Sequence, residues 1–340
     1  ARPAHRRFLA QAAGADEARD LLALLGAPSP EGEDEEPRKP RLVRRQAVPG
    51  FHAEVLDAAP GLVAASQGDT EVKLFSSQLS RLPPLRTRGK RVVSLAVEPG
   101  GERLAAGAAD GQVGVYSVTD PEEMPSRLQR PALADASASF AGLFFLAPGR
   151  LVAALRGELS ATLYDAEIRG SAVASSSGSL PGSSEHGLLT AAALGGAGSE
   201  ALLLLDGAGR ARIWDVRTPQ PEAALDLGDE CTAAAVDPLR WSLVSASPGA
   251  LHWGDLRAQR SVRLPVGHLA TGSLADPPLL ACGARGSVLA YWASPKASTA
   301  CFFFGDGAPV PLHAGASRAV PLAACRTAGG GPLILSLAQP

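Results

Sequence analysis

Several residue types are absent or scarce in this 340-residue chain. No asparagine occurs, so the chain has no N-glycosylation acceptor. The four cysteines show no pair at the two-residue spacing of a zinc site, and we expect them to be buried, small apolar residues. Both features favour an intracellular protein. The cysteines are Cys231, Cys282, Cys301 and Cys325.

Long apolar runs and a strong net charge are also missing. The longest uncharged apolar stretches, such as 137–149 and 187–199, are shorter than the roughly 18–20 residues that span a bilayer. A formal net charge of −2 gives no global field that would attract nucleic acid. With 46% apolar and 19% charged residues, the composition is that of a globular protein. We expect no membrane span and no direct nucleic-acid binding.

A repeated phrase follows from about residue 50. It consists of an apolar run, a small-residue turn ending in Gly or Asp-Gly, and an alternating strand that ends in an aromatic residue. The copies at 62–75 (LVAASQGDTEVKLF) and 103–116 (RLAAGAADGQVGVY) are closely similar. Period-two alternation predicts strands with one buried face. Further copies lie at 150–165, 201–215, 242–255, 279–292 and, more weakly, 321–337.

The spacing of the aromatic residues predicts the architecture. Successive ones are 41, 48, 50, 39 and 39 residues apart, which is a four-strand period with two insertions. Seven copies over residues 50–340 give about 42 residues per unit, within the range of propeller blades. The chain is therefore predicted to be an all-β, seven-bladed β-propeller. The aromatic residues are Phe75, Tyr116, Tyr164, Trp214, Trp253 and Trp292.

Trp214-Asp215, in the phrase RIWDVR, resembles the motif of the WD-repeat family. The phrase 251–255 (LHWGD) is similar to it, and 267–268 matches the family's Gly-His dipeptide. The resemblance covers about 290 residues and implies a WD-repeat β-propeller. It places structural aspartates in the turns and implies a broken His-Asp-Ser-Trp network in the later blades, near Pro248 and Arg285. We expect packing of Ala, Leu and Val to hold the blades. The turn aspartates are Asp69, Asp110 and Asp206.

The propeller is predicted to occupy residues 41–340, with the ring closed by an N-terminal strand. An open stack would leave unpaired strand edges. The last blade contains three predicted strands, at 309–313, 320–327 and 332–338. The segment 41–48 (RLVRRQAV) is predicted to supply its missing outer strand, as the family resemblance implies.

Residues 1–40 are predicted to form a helix followed by an acidic linker. Apolar residues near helical spacing precede Gly26 and Pro28, and an acidic run (EGEDEE) occupies 31–36. The helix would pack on the propeller, fray, or dock into a partner. A basic start at Arg2 suggests a targeting remnant, but the acidic residues at 16–20 argue against one. The candidate partner-binding residues are Phe8, Leu21, Leu22 and Leu25.

The sequence contains no catalytic or cofactor motif. It lacks a nucleophile elbow, a phosphate-binding loop, a His-Glu-x-x-His motif and a dinucleotide fingerprint. Its six histidines are dispersed, with no second ligand three or four residues away. We therefore expect no enzyme activity, no cofactor, no metal and no small-molecule substrate.

Two arginine features are further candidates for partner binding. A basic cluster between the first two blades is predicted to form an extended loop or an edge strand. It is either a solvated outer strand or a contact for phosphate or for an acidic partner surface. The phrases 214–217 and 253–257 also resemble the Trp-Asp-x-Arg element of substrate receptors of cullin-type ubiquitin ligases; the alternative is an arginine that pairs locally. The residues concerned are Arg81, Arg86, Arg88, Lys90 and Arg91 in the cluster, and Arg217 and Arg257 in the phrases.

From the fourth blade onward, the order of features resembles the propeller nucleoporin of the Y-shaped nuclear pore scaffold. The resemblance rests on 183–184 (Ser-Ser), the two tryptophan phrases and the short last blade, over about 160 residues. It implies a non-catalytic scaffold that binds other protein subunits at the nuclear envelope. The alternatives are a ligase receptor and a subunit of a ribosome-assembly or organelle complex.

Overall fold

The computed structural model describes residues 53–265, apart from short gaps, and six strand segments between 279 and 338. This part of the chain contains 26 β-strands and no helix. The prediction of an all-β protein is confirmed for these residues. The predicted N-terminal helix with Phe8, Leu21, Leu22 and Leu25, the acidic linker and the strand at 41–48 lie outside them. The gaps are 77–79, 88–90, 121–124, 129–138, 159, 168–170, 176–185, 196–198, 219 and 249.

Strands that are neighbours in sequence pair antiparallel and, in the described residues, form six four-stranded sheets and one two-stranded sheet. Strand order follows chain order in each sheet, so every sheet is a meander of local hairpins. Sheet one contains β1 (Val55–Ala59), β2 (Leu62–Ser66), β3 (Glu71–Ser76) and β4 (Leu85–Arg86). Sheet two contains β5 (Val92–Val97), β6 (Arg103–Ala108), β7 (Val113–Ser117) and β8 (Ser126–Arg127). Sheet three contains β9 (Phe140–Ala147), β10 (Arg150–Leu155), β11 (Thr162–Asp165) and β12 (Ser171–Ser175).

The remaining sheets follow the same plan. Sheet four contains β13 (Leu188–Leu194), β14 (Ala201–Asp206), β15 (Arg210–Asp215) and β16 (Glu222–Asp226). Sheet five contains β17 (Ala233–Asp237), β18 (Ser242–Ser247), β19 (Ala250–Asp255) and β20 (Arg260–Pro265). Sheet six contains β21 (Leu279–Cys282), β22 (Val288–Trp292), β23 (Ala300–Phe304) and β24 (Val310–Pro311). Sheet seven contains β25 (Val320–Arg326) and β26 (Leu333–Ala338).

The repeated phrase forms a hairpin in every sheet. In sheets one to five it supplies the second and third strands, so that Leu62 pairs with Ser76 and Arg103 with Ser117. In sheets six and seven it supplies the first two described strands. The period-two pattern therefore locates the hairpins but does not fix their position within each sheet.

Aspartates close three of the turns between the second and third strands. The buried Asp206 accepts hydrogen bonds from the backbone N–H of Arg210 at 2.9 Å and from its Nε at 3.0 Å. Asp69 and Asp110 each accept a backbone N–H two residues further along, at 3.1 Å. The predicted turn position of the three aspartates is confirmed.

The predicted assignment of strand 309–313 to the last sheet is wrong. The strand found there, β24, pairs with β23, with Phe302 opposite Pro311 and Phe303 opposite Val310. A short connection makes this local antiparallel pairing the nearest one available to the chain. Sheet seven consequently has two described strands instead of three.

The core lies between adjacent sheets. One apolar cluster joins sheets one and two, and others join sheets two and three, three and four, and four and five. Their members are chiefly leucine, alanine and valine, with the fully buried Trp214 the largest side chain. Burying one leucine contributes about 1.5–3 kcal/mol, so packing between sheets is the main source of stability.

The first strands of successive sheets contact one another. The series runs through β1, β5, β9, β13, β17, β21 and β25, and β25 in turn contacts β1. The approach is close between sheets three and four, where a Cβ added to Gly142 would lie 2.5 Å from the carbonyl oxygen of Ala191. A side chain at that position would therefore force the two strands apart.

Polar contacts also join neighbouring sheets. The carboxylate of Asp57, on β1, accepts the backbone N–H of Val97, on β5, at 2.6 Å. Glu98, which is buried after β5, accepts the backbone N–H of Gly149 in sheet three at 2.8 Å. Each bond provides an acceptor for a backbone donor of the adjacent sheet, where an unpaired donor would be costly.

Candidate interaction surface

The first Trp-Asp-x-Arg phrase ends strand β15 in sheet four. The buried Trp214 donates from Nε1 to the carbonyl oxygen of Thr218 at 2.8 Å, which fixes the following turn. Asp215 accepts both the backbone N–H of Arg217, at 3.0 Å, and its Nε, at 2.8 Å. The carboxylate and the guanidinium thus pair within the phrase itself.

Arg217 remains exposed in spite of this pairing, with 72% of its side-chain surface accessible. The side-chain hydrogen bond from Arg217 lowers the pKa of Asp215 to about 2, and the same bond raises the pKa of Arg217. Oε2 of Glu200 lies 3.3 Å from Nε of Arg217, and Oε1 of Glu200 lies 2.7 Å from Nη1 of Arg150 in sheet three. These ion pairs link sheets three and four along one face.

The second phrase ends strand β19 in sheet five and has a different arrangement. Asp255 accepts the backbone N–H groups of Arg257 and Ala258, both at 2.9 Å. The guanidinium of Arg257 lies over the ring of Trp241, with its central carbon 5.2 Å from the ring centroid. This distance is that of a cation–π contact.

Trp241 lies in the connection between β17 and β18 and has a positive φ of 58°. Asp237 shapes this connection by accepting the backbone N–H of Leu239 at 3.1 Å and that of Arg240 at 3.3 Å. Leu239 is 49% exposed, while Trp241 packs partly against the core between sheets four and five. The connection therefore presents an apolar side chain to solvent from a hydrogen-bonded turn.

Sheet four borders this connection. The backbone N–H of Gly195 donates to the carbonyl oxygen of Pro238 at 2.6 Å, and a Cβ on Gly195 would lie 3.8 Å from Nε1 of Trp241. The Trp-Asp-x-Arg phrase of sheet four and the Trp-x-Asp-x-Arg phrase of sheet five thus lie on adjacent sheets at one face. We define the four–five surface as Arg217, Leu239, Arg240, Trp241 and Arg257. Arg217 and Arg257 were predicted from the sequence as partner-binding residues, whereas Leu239, Arg240 and Trp241 were not.

The basic cluster is divided by the structure. Arg81 and Arg86 are exposed at the outer edge of sheet one, where β4 is the outermost described strand. Arg91 lies before β5, and its Nη2 pairs with Oε2 of Glu54 at 3.0 Å. Arg88 and Lys90 lie outside the described residues. One member of the predicted cluster therefore already has a carboxylate partner in the neighbouring sheet.

A polar network surrounds the buried His252 of sheet five, and it was not predicted from the sequence. His252 is 1% exposed, and its Nε2 lies 2.9 Å from Oγ of Ser247 and 3.1 Å from Oδ2 of Asp229. Arg263 donates to the same Oδ2 at 2.9 Å, and this hydrogen bond lowers the pKa of Asp229. Burial lowers the pKa of His252.

The network does not have the geometry of a nucleophile–base–carboxylate triad. In a nucleophile–base–carboxylate triad the serine and the carboxylate contact different nitrogens of the imidazole, whereas here both contact Nε2. The neighbouring Cys231 is buried, as predicted for the cysteines, and burial raises the pKa of its thiol. These contacts join sheet five to the loop that precedes it.

The described residues contain no cluster of three or more histidine, cysteine or carboxylate side chains placed to hold a metal ion. The same part of the chain has no helix long and apolar enough to cross a membrane. No protein-family model and no curated protein sequence matches the chain.

Proposed function

We propose that the chain is a seven-bladed β-propeller of the WD-repeat type. Seven consecutive small sheets support this proposal, as does the series of contacts that runs from β1 through the first strand of each sheet to β25 and back to β1. Ring closure would be completed by residues 41–48, paired along the outer edge of β26. This segment follows the predicted 1–40 region, so residues 41–340 form the propeller domain in this proposal.

The proposed function is that of a non-catalytic scaffold which holds other proteins at fixed angles. The observation that carries it is the four–five surface, where exposed arginines and the exposed Leu239 lie on hydrogen-bonded turns between paired strands. Trp and Arg dominate protein-binding hot spots, and a preorganised surface loses little entropy on binding. We favour a nuclear pore subunit at the nuclear envelope, because of the feature order from the fourth blade onward.

The test is affinity purification of the full chain from its own cells, with quantitative mass spectrometry and size-exclusion chromatography. A scaffold subunit elutes in a large assembly with partners at fixed stoichiometry, nucleoporins among them. Deletion of residues 1–26 should weaken the assembly without unfolding the sheets. A chain that elutes as a monomer, with only substoichiometric proteins, would contradict the proposal.

A ubiquitin-ligase receptor is the second candidate, because Arg217 and Arg257 are both exposed at strand ends on one face. The ion pairs of Arg217 with Asp215 and Glu200 give it a local structural role as well. In the same purification, R217A/R257A should abolish capture of the ligase adaptor only if the receptor hypothesis is correct. R260A, which alters another exposed arginine of sheet five, is the matched control. Recovered partners would also reveal a ribosome-assembly or organelle complex.

A further inference from the structure

The part of the four–five surface formed by Leu239, Arg240, Trp241 and Arg257 has the chemistry of a specific binding site. We propose that it binds an acidic segment of a partner protein that carries a bulky apolar side chain between its carboxylates. This inference rests on the proposed scaffold function and names the chemistry of one partner.

The backbone at Trp241 is the first observation. The equivalent connections of sheets one to four each contain a glycine with positive φ, between 71° and 91°. A bulky side chain is rarely found in this conformation, because its Cβ crowds the backbone. Sheet five nevertheless places a tryptophan there, and the ring supports the guanidinium of Arg257. The glycines are Gly61, Gly101, Gly149 and Gly195.

The absence of an ion-pair partner for the two arginines of the surface, within the described residues, is the second observation. Arg240 and Arg257 are exposed, and within the described residues neither forms an ion pair. The two carboxylates beside them, Asp237 and Asp255, each accept two backbone N–H groups. By contrast, other arginines at sheet junctions have carboxylate partners, for example Arg103 with Glu167 at 3.1 Å. The surface therefore presents two cations that a carboxylate ligand would complement.

The exposed apolar side chain of this surface favours an acidic peptide over a phosphate as the ligand. Leu239 is one of three large hydrophobic side chains exposed in the described residues, together with Leu82 and Val173. It lies next to Arg240 in the chain, in the connection where Trp241 is covered by Arg257. A phosphate would use only the arginines, whereas an apolar side chain flanked by carboxylates would use all of these groups. Such a ligand would gain both buried apolar area and charge complementarity.

The test is fluorescence anisotropy with the full chain and three labelled synthetic peptides. The first has two leucines flanked by glutamates, the second replaces the leucines with serine, and the third replaces the glutamates with lysine. We expect the first peptide to bind, and its affinity to fall as the salt concentration is raised from about 50 to about 300 mM. R240E/R257E and L239S should each weaken binding of the first peptide about tenfold or more. The first variant removes the charge complementarity, and the second removes the apolar contact.

Sheet one supplies matched controls, since its outer edge also combines an exposed leucine with two exposed arginines. R81E/R86E and L82S make the same changes of charge and apolarity there and should leave peptide binding unchanged. Equal losses in both sets, no binding of the first peptide, or equal binding of all three would overturn the inference. Tighter binding of a single-stranded RNA oligonucleotide at the same arginines would also overturn it, in favour of a phosphate ligand.

Two further outcomes separate this inference from others. If the first peptide binds only after the glutamates within 31–36 are changed to glutamine, the surface does bind acidic segments, but the chain's own acidic run and not a partner protein occupies it in the free chain. If peptide binding fails while large partners still co-purify, the surface assignment is wrong and the scaffold function stands. A chain without stable partners, in turn, would overturn the scaffold function whether or not the peptide binds.

Discussion

The protonation of a single residue, Asp57, makes the stability of the contact between sheets one and two depend on pH. Its carboxyl lies between β1 and β5, and burial raises its pKa to about 7. The pKa of an aspartate in an unfolded chain is about 3.9. The folded protein therefore binds this proton more tightly than the unfolded chain does. The contribution of the protonated Asp57 to folding stability is complete below about pH 4 and is lost as the pH rises through about 7.

Asp57→Asn should remove this dependence while keeping an oxygen that accepts the N–H of Val97. We expect the gain in unfolding free energy from the substitution to be larger at pH 8 than at pH 5, by roughly 1–3 kcal/mol. Urea unfolding at the two pH values measures the difference. Asp226→Asn is the control, because that carboxylate is exposed and also accepts a backbone N–H. A constant effect of Asp57→Asn at both pH values would contradict the assignment.

Residues whose signal is local can be predicted from the sequence, whereas residues whose partners lie in another sheet cannot. The Trp-Asp-x-Arg phrase locates Arg217 because all of its residues lie on one strand end. Trp241 carries a signal as well, since it replaces the glycine of the other connections, but this becomes visible only once the sheets are aligned. The contact of Asp57 with Val97 has no sequence signal, because it joins strands 40 residues apart.

At the scale of elements, Glu98 connects the first strand of sheet two to the turn before β10. Glu98→Ala would leave the backbone N–H of Gly149 without this acceptor, and we expect a loss of about 2 kcal/mol in unfolding free energy. Denaturant unfolding measures it. Glu102→Ala makes the same change in the same connection at an exposed position, and it should cost less than about 0.5 kcal/mol. Equal effects of the two substitutions would show that the junction does not depend on this bond.

Hairpins are the element that sequence predicts best here, because alternation and a turn residue act over about a dozen residues. Which sheet a strand joins depends on pairing that alternation does not encode. The strand β24 illustrates this: its two residues fit either the end of sheet six or the start of sheet seven, and the shorter connection decides. The repeat pattern therefore predicts the number of hairpins more reliably than the composition of each sheet.

For the whole molecule, the question is what pairs with the outer edge of β26. In the described residues this strand pairs only with β25. An exposed edge of this length would offer unpaired N–H and C=O groups to other chains. A propeller removes the hazard by closure, and in the proposed ring residues 41–48 supply the missing strand. An outermost strand is hydrogen bonded along one edge alone, so only every second residue donates to the ladder.

Proline substitution tests this closure, because proline removes one backbone donor. If residues 41–48 pair with β26, only one of two neighbouring residues donates a hydrogen bond to that strand. One of the variants Val43→Pro and Arg44→Pro should therefore lower the melting temperature by several degrees, and the other should have a smaller effect. Hydrogen exchange in β26 should rise with the damaging variant. Glu33→Pro, in the acidic run, is the control and should change neither quantity. If both proline variants leave the melting temperature and the hydrogen exchange of β26 as unchanged as the control does, the segment does not close the ring, and another strand must cover β26.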